Sequence, residues 1–160
     1  MAEREMKSIV LLLSVARMSE RALEFAVERA KEWSAELTVL YVIDTSLTNE
    51  VFDRFTDIGF MGDKPSTQLT EAIMKEFRQR GYEDRGRVQV RAMEEGVGYN
   101  PMTVQGDFFR CAMEVIGQQK ADMVVAVKRR ESALVRYFYK SPVDEIKKSA
   151  SCEVVIFDEE

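Results

Sequence analysis

The sequence contains no histidine and only two cysteines, which removes several classes of functional site. Without histidine, a histidine-dependent catalytic triad, a histidine-ligated metal and a histidine pH switch are all excluded. Cys111 and Cys152 are too few for a disulfide framework, have no metal-ligand spacing and lie in apolar runs, where cysteine acts as a small hydrophobic residue. Few, unpaired cysteines in apolar runs are typical of proteins in a reducing cytoplasm. We expect the protein to hold neither a metal ion nor another cofactor.

Long hydrophobic runs are also missing from the sequence. The apolar run that begins at Ile9 is too short to span a membrane and is followed by no small-residue cleavage pattern, so we expect it to form the first strand. The 160 residues, 46% hydrophobic and 32% charged, are typical of one globular domain over residues 1–160. The net charge of −5 disfavours a nucleic acid as partner.

Apolar runs alternate with segments of helical periodicity along most of the chain, and this alternation predicts a parallel sheet with helical crossovers. Strands are predicted at residues 7–13, 36–43, 99–104, 123–127 and 153–157. Shorter helices are predicted at residues 19–33, 107–120 and 143–148.

Two segments interrupt this alternation. Residues 44–65 contain turn residues and three phenylalanines, and they could form either a lid or a packed surface loop without function. Residues 87–93 alternate like a half-exposed strand, but apolar positions from Leu69 onward also fit one face of a long helix. Those positions are Ile73, Phe77, Gly81, Val88 and Ala92. We favour the helix.

Three stretches of the chain resemble the universal stress protein family: SERALEFAVERAKEWSAELTVLYVID, QQKADMVVAV and SASCEVVIF. The resemblance covers nearly the whole chain. Gly106 and Asp107 fit the Gly-Asp pair that follows the third strand of this family, which supports the long helix over a strand at 87–93. The resemblance implies a Rossmann-like α/β fold with an open parallel five-stranded sheet, order 3-2-1-4-5, and helices on both faces.

Many members of this family bind ATP through an acidic residue after the first strand and a glycine motif after the fourth. In this sequence Ser14 takes the acidic position, Val127, Arg130 and Lys140 take the three glycine positions, and only Ser141 agrees. Side chains there prevent the close approach of backbone amides to phosphates, so the resemblance is to the branch that does not bind ATP. The positions that match the nucleotide site are Ser14, Val15, Ile43, Val127, Lys128, Arg129, Arg130, Lys140, Ser141 and Pro142.

The loop after the fourth strand is basic, and two interpretations of it remain open. Lys128, Arg129 and Arg130 could hold a small anion, helped by the helix that begins near Ser141. They could equally be solvated or paired surface charges. The aromatic cluster at residues 135–139 is better explained by a core or subunit interface than by base stacking.

The sequence therefore predicts a non-catalytic regulatory or stress-response protein that acts through protein contacts and has a degenerate nucleotide site. No catalytic residue is assigned, because no nucleophile and base can be paired and the phosphate cradle is lost. The alternative is a protein that binds a nucleotide or another small anion through residues 128–130. The family resemblance implies a homodimer in which the last strand pairs with its copy, through Val154, Val155, Ile156 and Phe157.

Overall fold

The computed structural model describes residues 7–44, 67–130 and 141–159. Except for Asp44, the predicted loop at 44–65 lies outside these residues, and so do the aromatic cluster at 135–139 and Lys140. The described elements are β1 (Ser8–Leu13), α1 (Glu20–Trp33), β2 (Glu36–Asp44), α2 (Thr67–Glu94), β3 (Tyr99–Gly106), α3 (Phe108–Gln118), β4 (Met123–Lys128), α4 (Pro142–Ser149) and β5 (Glu153–Asp158).

The five strands form one parallel sheet in the order β3-β2-β1-β4-β5, which confirms the predicted order. Central β1 lies between β2 and β4, with Leu11 opposite Val39 on one side and Val125 on the other. Residues 9–13 are completely buried, as a strand covered by helices on both faces must be. The chain changes direction across the sheet between β1 and β4, and open α/β sheets bind ligands at such a point.

Helices cover both faces of the sheet and divide the core into two hydrophobic clusters. In the first cluster, Leu23 of α1 and Val88 of α2 pack against one face. In the second, Phe108 of α3 and Ile146 of α4 pack against the other face. None of the helices in the described ranges is long and apolar enough to cross a membrane.

Helix α2 continues through residues 87–93, so the helix prediction is confirmed. The strand-like alternation in that segment arises because two large apolar side chains lie on the outer face of the helix. Val90 and Met93 are 55% and 70% exposed, whereas Val88 and Ala92 are buried against the sheet. Apolar residues on opposite faces of one helix imitate the two-residue period of a strand.

The Gly-Asp pair after β3 begins α3 as expected. Gly106 has a φ of 154°, and a Cβ atom there would lie 3.0 Å from the sulfur of Cys111, so both the backbone and the available space favour glycine. The Asp107 side chain accepts a hydrogen bond of 2.9 Å from the backbone N–H of Arg110. This bond satisfies one of the free donors of the first helical turn.

Candidate functional site

The ends of β1 and β4 lie side by side at the carboxyl edge of the sheet, at its change of direction. Leu12 is paired with Ala126, so Ser14 and Lys128, each two residues further along, lie at the same level of neighbouring strands. Ile43 is the penultimate residue of β2, and α4 begins at Pro142. The structure thus places the described members of the predicted nucleotide site on the elements expected from the sequence. Lys140 lies outside the described residues.

The loop after β1 is a tight turn that directs Arg17 into the protein. The backbone N–H of Ser14 donates to the carbonyl of Arg17 at 3.2 Å, and the N–H of Arg17 donates back to the carbonyl of Ser14 at 3.1 Å. As a result, the Arg17 side chain is only 3% exposed. A fully charged guanidinium is rarely buried to this degree unless it is paired.

Three described groups surround the guanidinium of Arg17. Its Nη1 donates to the hydroxyl of Ser14 and to Oδ2 of Asp44, each at 3.1 Å, and Asp44 is 4% exposed. The guanidinium carbon lies 4.1 Å from the ring centroid of Phe108. Sequence reasoning did not identify this group. The available signal was an arginine in the turn after a buried strand, together with an aspartate at the end of the next strand.

The first glycine position of the nucleotide motif is part of the sheet in this chain. Val127 is a β4 residue paired with Phe157, and it is completely buried in the hydrophobic cluster beneath α1 and α2. Its backbone is extended, so no left-handed conformation is required there. Because Val127 contributes to the core, it cannot provide the bare backbone that glycine offers to a phosphate.

Lys128 is paired with a carboxylate of the same chain. Its Nζ donates to Oδ2 of Asp144 at 2.9 Å, and Asp144 lies in the first turn of α4. Of the two interpretations of the basic loop, the structure supports pairing for this residue. The helix terminus expected to attract an anion therefore already has an acidic side chain beside it.

The backbone of the basic loop, residues 128–130, makes two hydrogen bonds with Glu159. The backbone N–H of Arg130, at the second glycine position, donates to Oε1 of Glu159 at 2.8 Å. The N–H of Glu159 donates in turn to the carbonyl of Lys128 at 2.9 Å. The Arg130 side chain is exposed and that of Arg129 is half-buried. An amide that would face a phosphate in the nucleotide motif is thus satisfied within the chain.

Helix α4 begins where the sequence predicts, but the side chain at its N-cap position does not cap it. Pro142 occupies the start of the helix and Ser141 the N-cap position, yet the Ser141 side chain makes no capping hydrogen bond. Asp144 and Glu145 place two carboxylates in the first turn, where they interact favourably with the helix dipole. These carboxylates disfavour an anionic ligand at the same terminus.

The predicted interface residues lie on β5, at one edge of the sheet. Val154 is buried within its own chain, whereas Val155, Ile156 and Phe157 are half-buried. The Phe157 ring packs 5.4 Å from that of Phe25 on α1. An open cleft runs along this edge beside Arg21 and Arg130. The described chain therefore leaves apolar surface along β5.

The acidic residues and the two cysteines are candidates for metal binding and nucleophilic chemistry. No group of three or more cysteines, aspartates or glutamates within residues 7–44, 67–130 and 141–159 could hold a metal ion. Burial raises the pKa of the Cys111 thiol, and the carboxylates of Glu114, Asp107 and Asp44 add to this effect. Burial likewise raises the pKa of Cys152. A raised pKa reduces the thiolate population, so both cysteines are poor nucleophiles.

Comparison with known proteins identifies the family that this sequence matches. The sequence model described as the universal stress protein family matches residues 6–158. A universal stress protein of Methanocaldococcus jannaschii is 27% identical over 150 residues, which cover 94% of this chain and 81% of the relative.

Solved structures of universal stress proteins share the fold. The protein UspA from Lactobacillus plantarum superimposes with a TM-score of 0.67 at 15% identity, over 94% of this chain and 97% of that chain. The universal stress protein from Archaeoglobus fulgidus in complex with dAMP gives a TM-score of 0.58 at 15% identity, over 94% and 96% of the two chains. Together with the family match over residues 6–158, these findings show that the chain belongs to the universal stress protein family.

Proposed function

We propose that this chain is a regulatory universal stress protein of the cytoplasm that does not use ATP and acts as a non-catalytic homodimer through protein contacts. The observation that carries this proposal is the hydrogen bond from the backbone N–H of Arg130 to Glu159. This amide occupies the second glycine position of the nucleotide motif. The Glu159 carboxylate therefore accepts the hydrogen bond that this backbone N–H would otherwise donate to a phosphate of ATP.

The backbone of the basic loop opposes ATP binding more strongly than the neighbouring ion pair of Lys128 and Asp144. The pair between Lys128 and Asp144 is partly exposed, at 27% and 46%, and such pairs stabilise a protein by at most about 1 kcal/mol. A ligand could therefore displace Asp144 from Lys128 at little cost. It could not remove the side chain of Val127 from the core, and it would have to bind next to the carboxylate of Glu159.

Among the described residues β5 pairs only with β4, and this open edge of the sheet supports the homodimer. An unpaired edge strand with apolar side chains is prone to pair with another chain, and soluble proteins cover or protect such edges. Ile156 and Phe157 on β5 are half-buried within one chain, so a second copy could bury them further. In that arrangement the interface, rather than a bound small molecule, would carry the regulatory role.

The alternative is a protein that binds a nucleotide or another small anion. It is favoured by the relative from Archaeoglobus fulgidus, whose structure is a complex with dAMP. A monophosphate carries less charge than ATP, so fewer backbone donors are needed to bind it. The exposed side chain of Arg130 is the described group best placed to contact such a ligand at the basic loop.

Titration calorimetry with magnesium-ATP and, separately, with dAMP distinguishes these functions. We expect no saturable binding of either nucleotide at physiological salt, and at most a weak attraction at low salt, because screening removes nonspecific charge effects. Arg130→Ala is the test variant, and Arg78→Ala, at an exposed position of α2, is the matched control. Micromolar binding at physiological salt that is lost only in Arg130→Ala would establish the alternative and refute the proposal.

A further inference from the structure

The three groups around Arg17 form a pocket whose chemistry is opposite to that of a phosphate site. Asp44 contributes a carboxylate oxygen, Ser14 a hydroxyl oxygen and Phe108 the face of an aromatic ring. Hydrogen-bond acceptors and an aromatic face recognise a planar cation with several N–H donors. We call Ser14, Asp44 and Phe108 the guanidinium cage.

The position of this cage gives it more than a packing role. Ser14 follows β1, Asp44 ends β2 and Phe108 begins the helix after β3, so all three lie at the carboxyl edge of the sheet. Open parallel sheets bind their ligands at this edge, where the strand order reverses, and here that point lies between β1, which Ser14 follows, and β4. Burial of both a guanidinium and a carboxylate is costly, and apolar residues of similar volume often replace such a pair without loss of stability. Stability alone therefore does not explain a buried ion pair at this location.

We infer that the guanidinium cage is a binding site for a guanidinium group and that Arg17 is its resident ligand. The turn that joins Ser14 to Arg17 by two backbone hydrogen bonds presents the side chain to the cage. The guanidinium cage is thus filled by a side chain of the same chain, whether or not the basic loop near β4 binds a nucleotide. When Arg17 is truncated, the cage should accept guanidinium from solution.

The test is rescue of Arg17→Ala by guanidinium chloride in a thermal unfolding experiment. We expect the substitution to lower Tm by roughly 6–15 °C, because it removes one member of a buried ion pair. Guanidinium at about ten times its Kd should then raise Tm by about 3–5 °C. The salt is titrated up to about 100 mM, below the concentrations that unfold proteins, and Kd is obtained from the dependence of Tm on its concentration.

The controls separate recognition of the cation from general effects. Urea has a similar planar shape but no charge, and sodium chloride matches the ionic strength, so neither should raise Tm of Arg17→Ala. Guanidinium should not raise Tm of the unsubstituted protein or of Arg78→Ala, in which the cage is occupied by Arg17. In the double variant with Asp44→Asn, the rescue should fall at least tenfold in apparent affinity, because the carboxylate is lost.

Equal responses to guanidinium and urea, or rescue that persists in the double variant, would overturn the inference. If Arg17→Ala does not fold by itself, circular dichroism is used to follow its folding as each additive is titrated. Folding that depends on guanidinium but not on urea would support the inference. No difference between the two additives would reject it. All of these unfolding measurements are made without nucleotide. Their outcome is therefore independent of whether the protein binds ATP or dAMP, which is the test of the proposed function.

Discussion

The ring of Tyr41 occupies the space that any side chain at Gly81 would need. A Cβ atom at Gly81 would lie 2.6 Å from Cδ1 and 2.8 Å from Cε1 of Tyr41. Glycine in a helix interior is unfavourable by about 1 kcal/mol relative to alanine. Because Gly81 has no side chain, the middle of α2 can approach β2 closely.

We predict that Gly81→Ala lowers the free energy of unfolding by up to about 2 kcal/mol. Overpacking of a core costs roughly 1–3 kcal/mol, and the improved helix propensity offsets only part of this loss. Urea unfolding followed by circular dichroism measures the change. Gly86→Ala is the matched control, because it lies on the same helix and a Cβ atom there meets nothing within 4 Å. This control should stabilise the protein by about 0.5–1 kcal/mol. Stabilisation by both substitutions would contradict the close contact with Tyr41.

The hydroxyl of Tyr41 is buried and has no hydrogen-bond partner among the residues that the structure describes. An unsatisfied buried polar group costs about 1–3 kcal/mol, so Tyr41→Phe at neutral pH should leave stability unchanged or raise it by about 1 kcal/mol. Chemical unfolding at pH 7 provides the measurement. A loss of more than about 1 kcal/mol would mean that the hydroxyl has a partner in solution.

Stability should fall above pH 10, and Tyr41 should contribute to this fall. Burial raises the pKa of Tyr41, nearby Asp84 raises it further and Arg80 opposes the shift. Because the pKa is higher in the folded chain, stability is fully present below the unfolded pKa of about 10 and is lost as the pH rises above it, by up to about 1.4 kcal/mol per pH unit. Unfolding between pH 9 and 11.5 should show a smaller slope for Tyr41→Phe. Tyr82→Phe is the control, because this side chain is 70% exposed and folding changes its surroundings little. Equal slopes for Tyr41→Phe and the unsubstituted protein would refute the prediction.

Two serines at helix starts should respond differently to alanine. Ser19 is buried and accepts a hydrogen bond of 3.2 Å from the N–H of Ala22, whereas Ser141 makes no such bond. Ser19→Ala should therefore lower the free energy of unfolding by about 1 kcal/mol, and Ser141→Ala by less than about 0.5 kcal/mol. Thermal and urea unfolding check this difference. An equal loss at the two positions would show that Ser141 does cap α4.

The proposed dimer can be tested on two edge strands of the same sheet. Ile156 on β5 and Val104 on β3 are both half-buried and both pack against the cluster beneath α3 and α4. We expect Ile156→Lys to give a folded monomer, because a charge on an edge strand opposes pairing, and Val104→Lys to remain dimeric. Light scattering at micromolar concentration measures the mass, and circular dichroism confirms the fold. A monomeric unsubstituted protein, or dissociation by Val104→Lys alone, would rule out pairing through β5.

The amino-acid sequence by itself determined the elements of the fold. The apolar run at residues 9–13 predicted a strand buried on both faces, and the structure buries these residues completely, while Gly106 and Asp107 mark the start of the next helix. The strand order followed from the family resemblance, and the loss of the glycine motif was visible at Val127 and Arg130. These features are local in the chain or belong to a shared pattern, so no knowledge of distant contacts was needed.

The tertiary structure alone decided which side chains meet at the carboxyl edge. Arg17 and Asp44 are separated by 27 positions, and the end of β2 brings them to 3.1 Å. The same applies to the amide of Arg130 and Glu159, and to Gly81 beneath the ring of Tyr41. Sequence periodicity indicates which face of an element is buried, but the choice of partner depends on strand register and on the close approach of distant segments. Residue pattern therefore determined the architecture, and long-range packing determined which charged groups occupy the crevice.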